Sequence, residues 1–187
     1  IPNNRMLKLN NNNVSDYKNP SNYCNGNTID NDENLISCSH GGRCVYKTND
    51  NLKTEIIVDN YNGKKLNSPN DICVKSDGSI WFTDPPYGIL SDYEGYKGEQ
   101  EYGGCFVFSF DIKSNSLKPV IKDLKKPNGI AISPDEKKLY VADTEDNLRY
   151  LYAFDLIENK PQNKTLVYDF KPFFSDGFRC DKDGNIW

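Results

Sequence analysis

Hydrophobic residues fall along the chain in short runs separated by polar turns, with almost no helical stripe. Apolar or alternating stretches such as ENLISCS, RCVYKT, TEIIVDN, DICVKS, SIWFTD, GCFVFSFD, PVIKDL, GIAIS, KLYVAD, YLYAFDL and TLVYDF read as strands. Gly, Asp, Asn and Pro bound them, and the gaps SDGS, SPDEKK and DKDG read as turns. The run Asn10 to Asn13 reads as a solvated hairpin tip. The pattern predicts an all-β chain.

Aligning the turns exposes an internal repeat. PNDICVKSDGSIWFTD (69–84) matches PNGIAISPDEKKLYVAD (127–143), SDGFRCDKDGNIW (175–187) repeats the pattern, and NGNTIDNDENLIS (25–37) fits more loosely. In each copy a polar residue stands seven positions before the turn acid: Asn25 before Asp32, Asn70 before Asp77, Asn128 before Asp135, Asp176 before Asp183. From Asn25 to Asn70, Asn128 and Asp176 the steps are 45, 58 and 48 residues. Each step has room for about four strands, the size of a β-propeller blade. The longest step contains residues 85–104, which read as an insertion. In a propeller the first strand of every blade starts beside the central channel, so these four residues are expected to converge there.

Such a ring is rich in amide and carboxylate oxygens, which suit hard cations such as Ca²⁺ or Mg²⁺. Few negative charges would leave the ion a Lewis acid, and the Asp could manage the proton of a water. The competing reading is that Asn and Gly only cap each strand entry through local hydrogen bonds. His40 is the only histidine of the chain. It has three readings: a triad member, a pocket contact, or a turn and packing residue. In the insertion, Tyr87, Tyr93 and Tyr96 could stack on a sugar ring while Glu99 and Glu101 bond its hydroxyls. Trp81 and Trp187 are expected in the core.

The 187 residues suit one domain, with 23 basic against 27 acidic side chains for a net charge of −4. That balance argues against a nucleic-acid partner. No apolar run approaches the roughly 20 residues of a membrane span, so no membrane partner is expected. Six cysteines form no C-x2-C pair and lie mostly in apolar strands. They read as buried free thiols, with Cys38 and Cys44 the one pair that could bridge across a hairpin. Free thiols and the lack of a visible signal favour the cytoplasm. The start at Ile1 keeps a secreted or periplasmic location open.

NSPNDICVKSDGSIWFTDPPYG (67–88), PNGIAISPDEKKLYVADT and DGFRCDKDGNIW resemble the SMP-30/gluconolactonase/luciferin-regenerating-enzyme-like family, with IPNNR, NGNT, SHGGRCV and YEGYKGEQE closest to its gluconolactonase branch. The resemblance implies a six-bladed β-propeller. The chain covers roughly the end of blade 1 to the start of blade 5, a single partial domain over 1–187 truncated at both ends. It implies a hydrolase that opens a small-molecule sugar lactone with one divalent cation, Ca²⁺ first, with Mg²⁺, Zn²⁺ or Mn²⁺ as alternatives. By motif match Asn70, Asn128 and Asp176 become metal ligands, and Asp176 also the general base. Asn25 and Asn70 become substrate contacts by the same match, and the residue reading adds His40 and Tyr87 as substrate contacts. The family's Glu ligand lies upstream of the IPNNR segment, and no residue of this chain matches it. The rival readings are a non-catalytic propeller that binds partners on its top face, and a related propeller esterase with another ester substrate.

Overall fold

A computed structural model describes residues 1–187. It contains sixteen strands and one short helix: β1 (Met6–Asn10), β2 (Asn13–Lys18), β3 (Cys24–Ile29), β4 (Leu35–Ser39), β5 (Cys44–Thr48), β6 (Thr54–Val58), β7 (Asn60–Tyr61), β8 (Lys64–Lys65), β9 (Ile72–Val74), β10 (Ile80–Asp84), α1 (Tyr87–Leu90), β11 (Phe106–Asp111), β12 (Ser116–Ile121), β13 (Pro127–Ile132), β14 (Lys138–Glu145), β15 (Leu148–Ile157) and β16 (Lys160–Asp169). Strands β3 to β6, β9 to β12 and β13 to β16 form three four-stranded antiparallel sheets, each paired in chain order. Strands β1 and β2 form a separate hairpin whose tip residues Asn11 and Asn12 both have positive φ. Asn tolerates that conformation, so the Asn run is the tip the sequence predicts.

The repeat is visible in backbone hydrogen bonds. Between the first two strands of each sheet the chain closes through Asp30 N to Asn34 O, Lys75 N to Ser79 O, and Ser133 N to Lys138 O. Asp181 N to Asn185 O makes the same closure after β16, beside an isolated Cys180–Ile186 bridge. The acids that cap these turns differ between copies. Asp77 and Asp135 accept the N–H two residues on, whereas Asp30 and Asp181 do this in place of Asp32 and Asp183.

Sheet stacking explains why IWF runs without alternation. Ile80 and Phe82 of β10 face Ile36, Val45 and Phe108, while Trp81 faces Ile130, Leu139 and Val141. β10 lies between the two other sheets, so both of its faces are apolar. Trp81 is therefore core, as expected, but Trp187 is 80% exposed. Its segment makes the Cys180–Ile186 bridge and the Arg179–Trp187 backbone pair, and the Trp187 indole donates to Asp181 at 2.9 Å. Cys38 and Cys44 are free. Cys38 pairs with Val45 and Cys44 with Ser39, and the two thiols join different clusters on opposite faces of the sheet.

The inner strands are tied laterally. Gly26 N donates to Asn70 O at 2.7 Å, and Thr83 Oγ1 donates to Asn128 O at 2.7 Å. The buried Asp71 carboxylate accepts from Ile130 N at 3.0 Å and from both terminal nitrogens of Arg179 at 2.9 and 3.0 Å. Arg179 also donates to Asn27 O at 3.2 Å. Close approach explains two glycines: a Cβ on Gly26 would strike Asn70 O and Asp71 Cα, and one on Gly129 would strike Asp176 O and the Phe178 ring.

Two outcomes follow for stability, both measured by urea unfolding. Asp71→Ala strands Arg179 and the Ile130 amide and is expected to cost about 2–3 kcal/mol, the half-exposed Arg179 softening the loss. Gly129→Ala is expected to cost about 1–3 kcal/mol by overpacking, because backbone rather than a flexible side chain blocks the Cβ.

Candidate active site

The repeat positions meet. Asn25 in β3, Asn70 just before β9, Asn128 in β13 and Asp176 before the Cys180 bridge all line one open cavity of about 310 Å³. Tyr87 of α1 lines it as well, together with Glu94, Lys126, Thr144, Asp146, Phe174, Ser175 and Ile1. A larger groove of about 640 Å³ between outer strands is walled by Asp77, Asp111, Lys113, Lys118, Glu158 and Lys160. Its charges of both signs face open solvent, whereas the smaller cavity holds the converging repeat residues.

Local structure explains how each side chain arrives. Asn70 is held by its own N–H to Thr83 O and by its carbonyl to Gly26 N. Asn128 is held by its carbonyl, which accepts from Thr83, while its amide Nδ2 donates to Thr144 Oγ1 at 3.5 Å. Asp176 is exposed, in a segment without regular structure, and its carbonyl packs on Gly129. Gly129 is needed for this contact, not for the tight turn that an Asn-Gly pair ordinarily signals. Tyr87 bonds the Thr144 hydroxyl, and burial pushes its phenol up to about 12. The Tyr87 hydroxyl is therefore kept protonated.

The donor set is mostly neutral oxygen. Asn128 Oδ1 is buried without any hydrogen-bond partner, and no protein group donates to Oδ1 of Asn25 or Asn70. A buried orphan acceptor is costly unless something positive meets it. No three His, Cys, Asp or Glu side chains group as a metal cluster. A cation here would draw on amide oxygens plus the Asp176 carboxylate, and hard ions with oxygen shells fit that chemistry.

His40 does not line the cavity. It is 1% exposed and sits behind Asn25 and Asn70, with Nε2 at 3.1 Å from Asn25 Nδ2 and 3.4 Å from Asn70 Nδ2. Its Nδ1 meets the Glu94 backbone carbonyl at 3.1 Å. Burial holds its pKa down to about 4, against the Glu94 bond, which raises it.

The insertion is anchored at its base. Asn67 Nδ2 donates to both Asp84 O and Gly104 O at 3.0 Å, and the Asp84 carboxylate accepts from Asn67 N, Ser68 N and the Tyr102 hydroxyl. Tyr93, Tyr96, Glu99 and Glu101 do not line the cavity. Tyr96 packs edge-on against Tyr23, Glu101 accepts from Lys65 N, and the Glu99 carbonyl accepts from Arg43. These residues pin the loop to the outside. Glu94, Lys126 and Asp146, which reach the wall, stand outside the repeat motif. Only Lys126, adjacent to PNG, carried a signal by position.

The chain is similar to known proteins. The chain is 35% identical to the gluconolactonase of Zymomonas mobilis over 173 residues, covering 87% of this chain and 48% of that protein. It is 27% identical to a lactonohydrolase of Aspergillus oryzae, over 72% of this chain and 35% of that one. The gluconolactonase structure from Xanthomonas campestris superposes with a TM-score of 0.94 at 31% identity, covering 99% of this chain and 62% of that chain. The chain thus spans about half or less of the curated relatives it matches. The SMP-30/gluconolactonase/LRE-like region model matches residues 1–187, the full length that carries the repeat and its convergent oxygens, and the chain belongs to that family.

Proposed function

We propose that the protein of which this chain is part hydrolyses a sugar lactone of the glucono-1,5-lactone type, on a partial six-bladed propeller that runs from the end of blade 1 to the start of blade 5. The observation that carries the reading is the orphaned Asn128 Oδ1 in a cavity shared with Asn70 and Asp176. The similarity to gluconolactonases and a lactonohydrolase supports the reaction class.

Asn70, Asn128 and Asp176 would hold one divalent cation, Ca²⁺ by preference for such an oxygen set. When bound, the cation polarises the lactone carbonyl. Asp176 takes a proton from a water as the water oxygen bonds the carbonyl carbon. The ring C–O bond then breaks, and the leaving ring oxygen takes a proton, giving the hydroxy acid. Asn25 offers its free Oδ1 to the substrate hydroxyls, and Tyr87, protonated and bonded to Thr144, fixes the opposite wall. His40 contributes from behind the Asn side chains and does not touch the substrate.

The test is hydrolysis of glucono-1,5-lactone by the protein with and without Ca²⁺, Mg²⁺, Zn²⁺ or Mn²⁺. Asp176→Asn is expected to lose about 10²-fold or more in kcat, the size of a missing general base. Chelation should abolish turnover and Ca²⁺ should restore it. Undiminished hydrolysis by Asp176→Asn, or by the chelated protein, refutes the mechanism. No hydrolysis of any lactone by the intact protein would favour a binding module.

A further inference from the structure

We infer that His40 is a positioning residue that dictates which way the side-chain amides of Asn25 and Asn70 face, so that both carbonyl oxygens, and not both NH₂ groups, point into the cavity. The chain of constraint starts in the insertion. The Glu94 backbone carbonyl can only accept, so the His40 nitrogen beside it, Nδ1 at 3.1 Å, carries the proton. In the neutral ring the other nitrogen, Nε2, is then a lone-pair acceptor. Two side-chain amides lie within reach of it, Asn25 at 3.1 Å and Asn70 at 3.4 Å, and each meets it by donating N–H. An amide that gives its NH₂ to the ring turns its oxygen the other way. Neither oxygen has a donor within the protein.

The arrangement is enforced by packing. His40 is fully enclosed, so an amide flipped oxygen-first would set two lone pairs against each other with no water to separate them. Gly88 of α1 lies so close that a Cβ there would stand 2.5 Å from the His40 Cβ, and Gly88 N is itself held by Ser68 Oγ at 2.9 Å. This fixes the base of the His40 side chain, and a flip of the ring would give up the Nδ1 bond to the Glu94 carbonyl. The Glu94 carboxylate is the one acidic group near the ring, 4.0 Å from Nδ1 on the protonated side. It leaves the Nε2 face to the amides. This role differs from a triad base, because Nε2 is spent on two donors and meets no nucleophile.

The inference about amide direction stands on hydrogen bonding alone. Its consequence for cation binding rests on the metal reading above. The two can fail separately. The tautomer is read in a long-range ¹⁵N–¹H correlation spectrum, with the His40 ring assigned by the signals that His40→Phe removes. The expected pattern is a protonated Nδ1 and an unprotonated Nε2 near neutral pH. A protonated Nε2 would overturn the inference, whether or not any cation binds. The second measurement is Ca²⁺ affinity by calorimetry, with unfolding followed alongside. His40→Phe keeps an aromatic ring and removes all three hydrogen bonds, and is expected to weaken Ca²⁺ about 10–100-fold, the usual effect of losing a partner that orients a ligand. His40→Gln can donate to Glu94 O and accept from both amides, and should restore most of that loss. Equal Ca²⁺ affinity in the unaltered protein and a folded His40→Phe overturns the positioning role. Absence of Ca²⁺ binding in the unaltered protein refutes the metal reading, and the tautomer spectrum then decides the amide direction.

Discussion

The Asp71 carboxylate is the fixed point of the inner ring. It sits where three sheets and the segment after β16 come closest, and it accepts from β13 through Ile130 N and from Arg179 through a two-pronged pair. Arg179 extends the link to Asn27 in β3. The carboxylate is largely removed from water, so its charge is met by directed donors instead of solvent, and each donor belongs to a different part of the ring. Asn70 precedes Asp71 directly. Fixing the carboxylate sideways between neighbours fixes its predecessor at the cavity wall, and the same ties bring Asn128 and Asp176 within reach of it.

Much of this was legible in the residue pattern. Strands, turns and the three step lengths survive as recurrent backbone closures at Asp30, Lys75, Ser133 and Asp181, because a turn demands the same φ and ψ wherever it recurs. Convergence was legible for the same reason, since equivalent strand entries face one centre and the four repeat residues share one cavity. What the pattern could not carry were contacts between segments with no common period. An Asn-Gly pair ordinarily signals a turn, yet the pressure on Gly129 comes from Asp176, distant in sequence. The insertion's aromatic and acidic residues suggested sugar recognition, but position in a loop does not reveal which side faces inward. Tyr96 and Glu101 face the scaffold, and Glu94 faces the cavity.

The polar interior differs from an ion-pair cluster. Its oxygens are mainly amides, which carry no charge and therefore avoid mutual repulsion when crowded together. Crowding neutral acceptors still has a cost when one of them, Asn128 Oδ1, has no donor. The side chain is held there by Thr83 on the Asn128 carbonyl and by the Asn128 amide on Thr144.

The insertion hydrogen-bonds the buried imidazole through a main-chain atom alone, whatever its side chains do elsewhere. Its ends are gathered by the single Asn67 side chain on Asp84 O and Gly104 O, and the atom it gives to His40 is the carbonyl of residue 94. A carbonyl is present whatever side chain follows it. Since loop closure costs little more for a longer segment once its ends are pinned, this stretch can gain, lose or exchange side chains over evolutionary time while the buried imidazole keeps its partner. The molecule thus separates inheritance of its inner chemistry from inheritance of its rim, and the rim is where selection can reshape what the cavity admits.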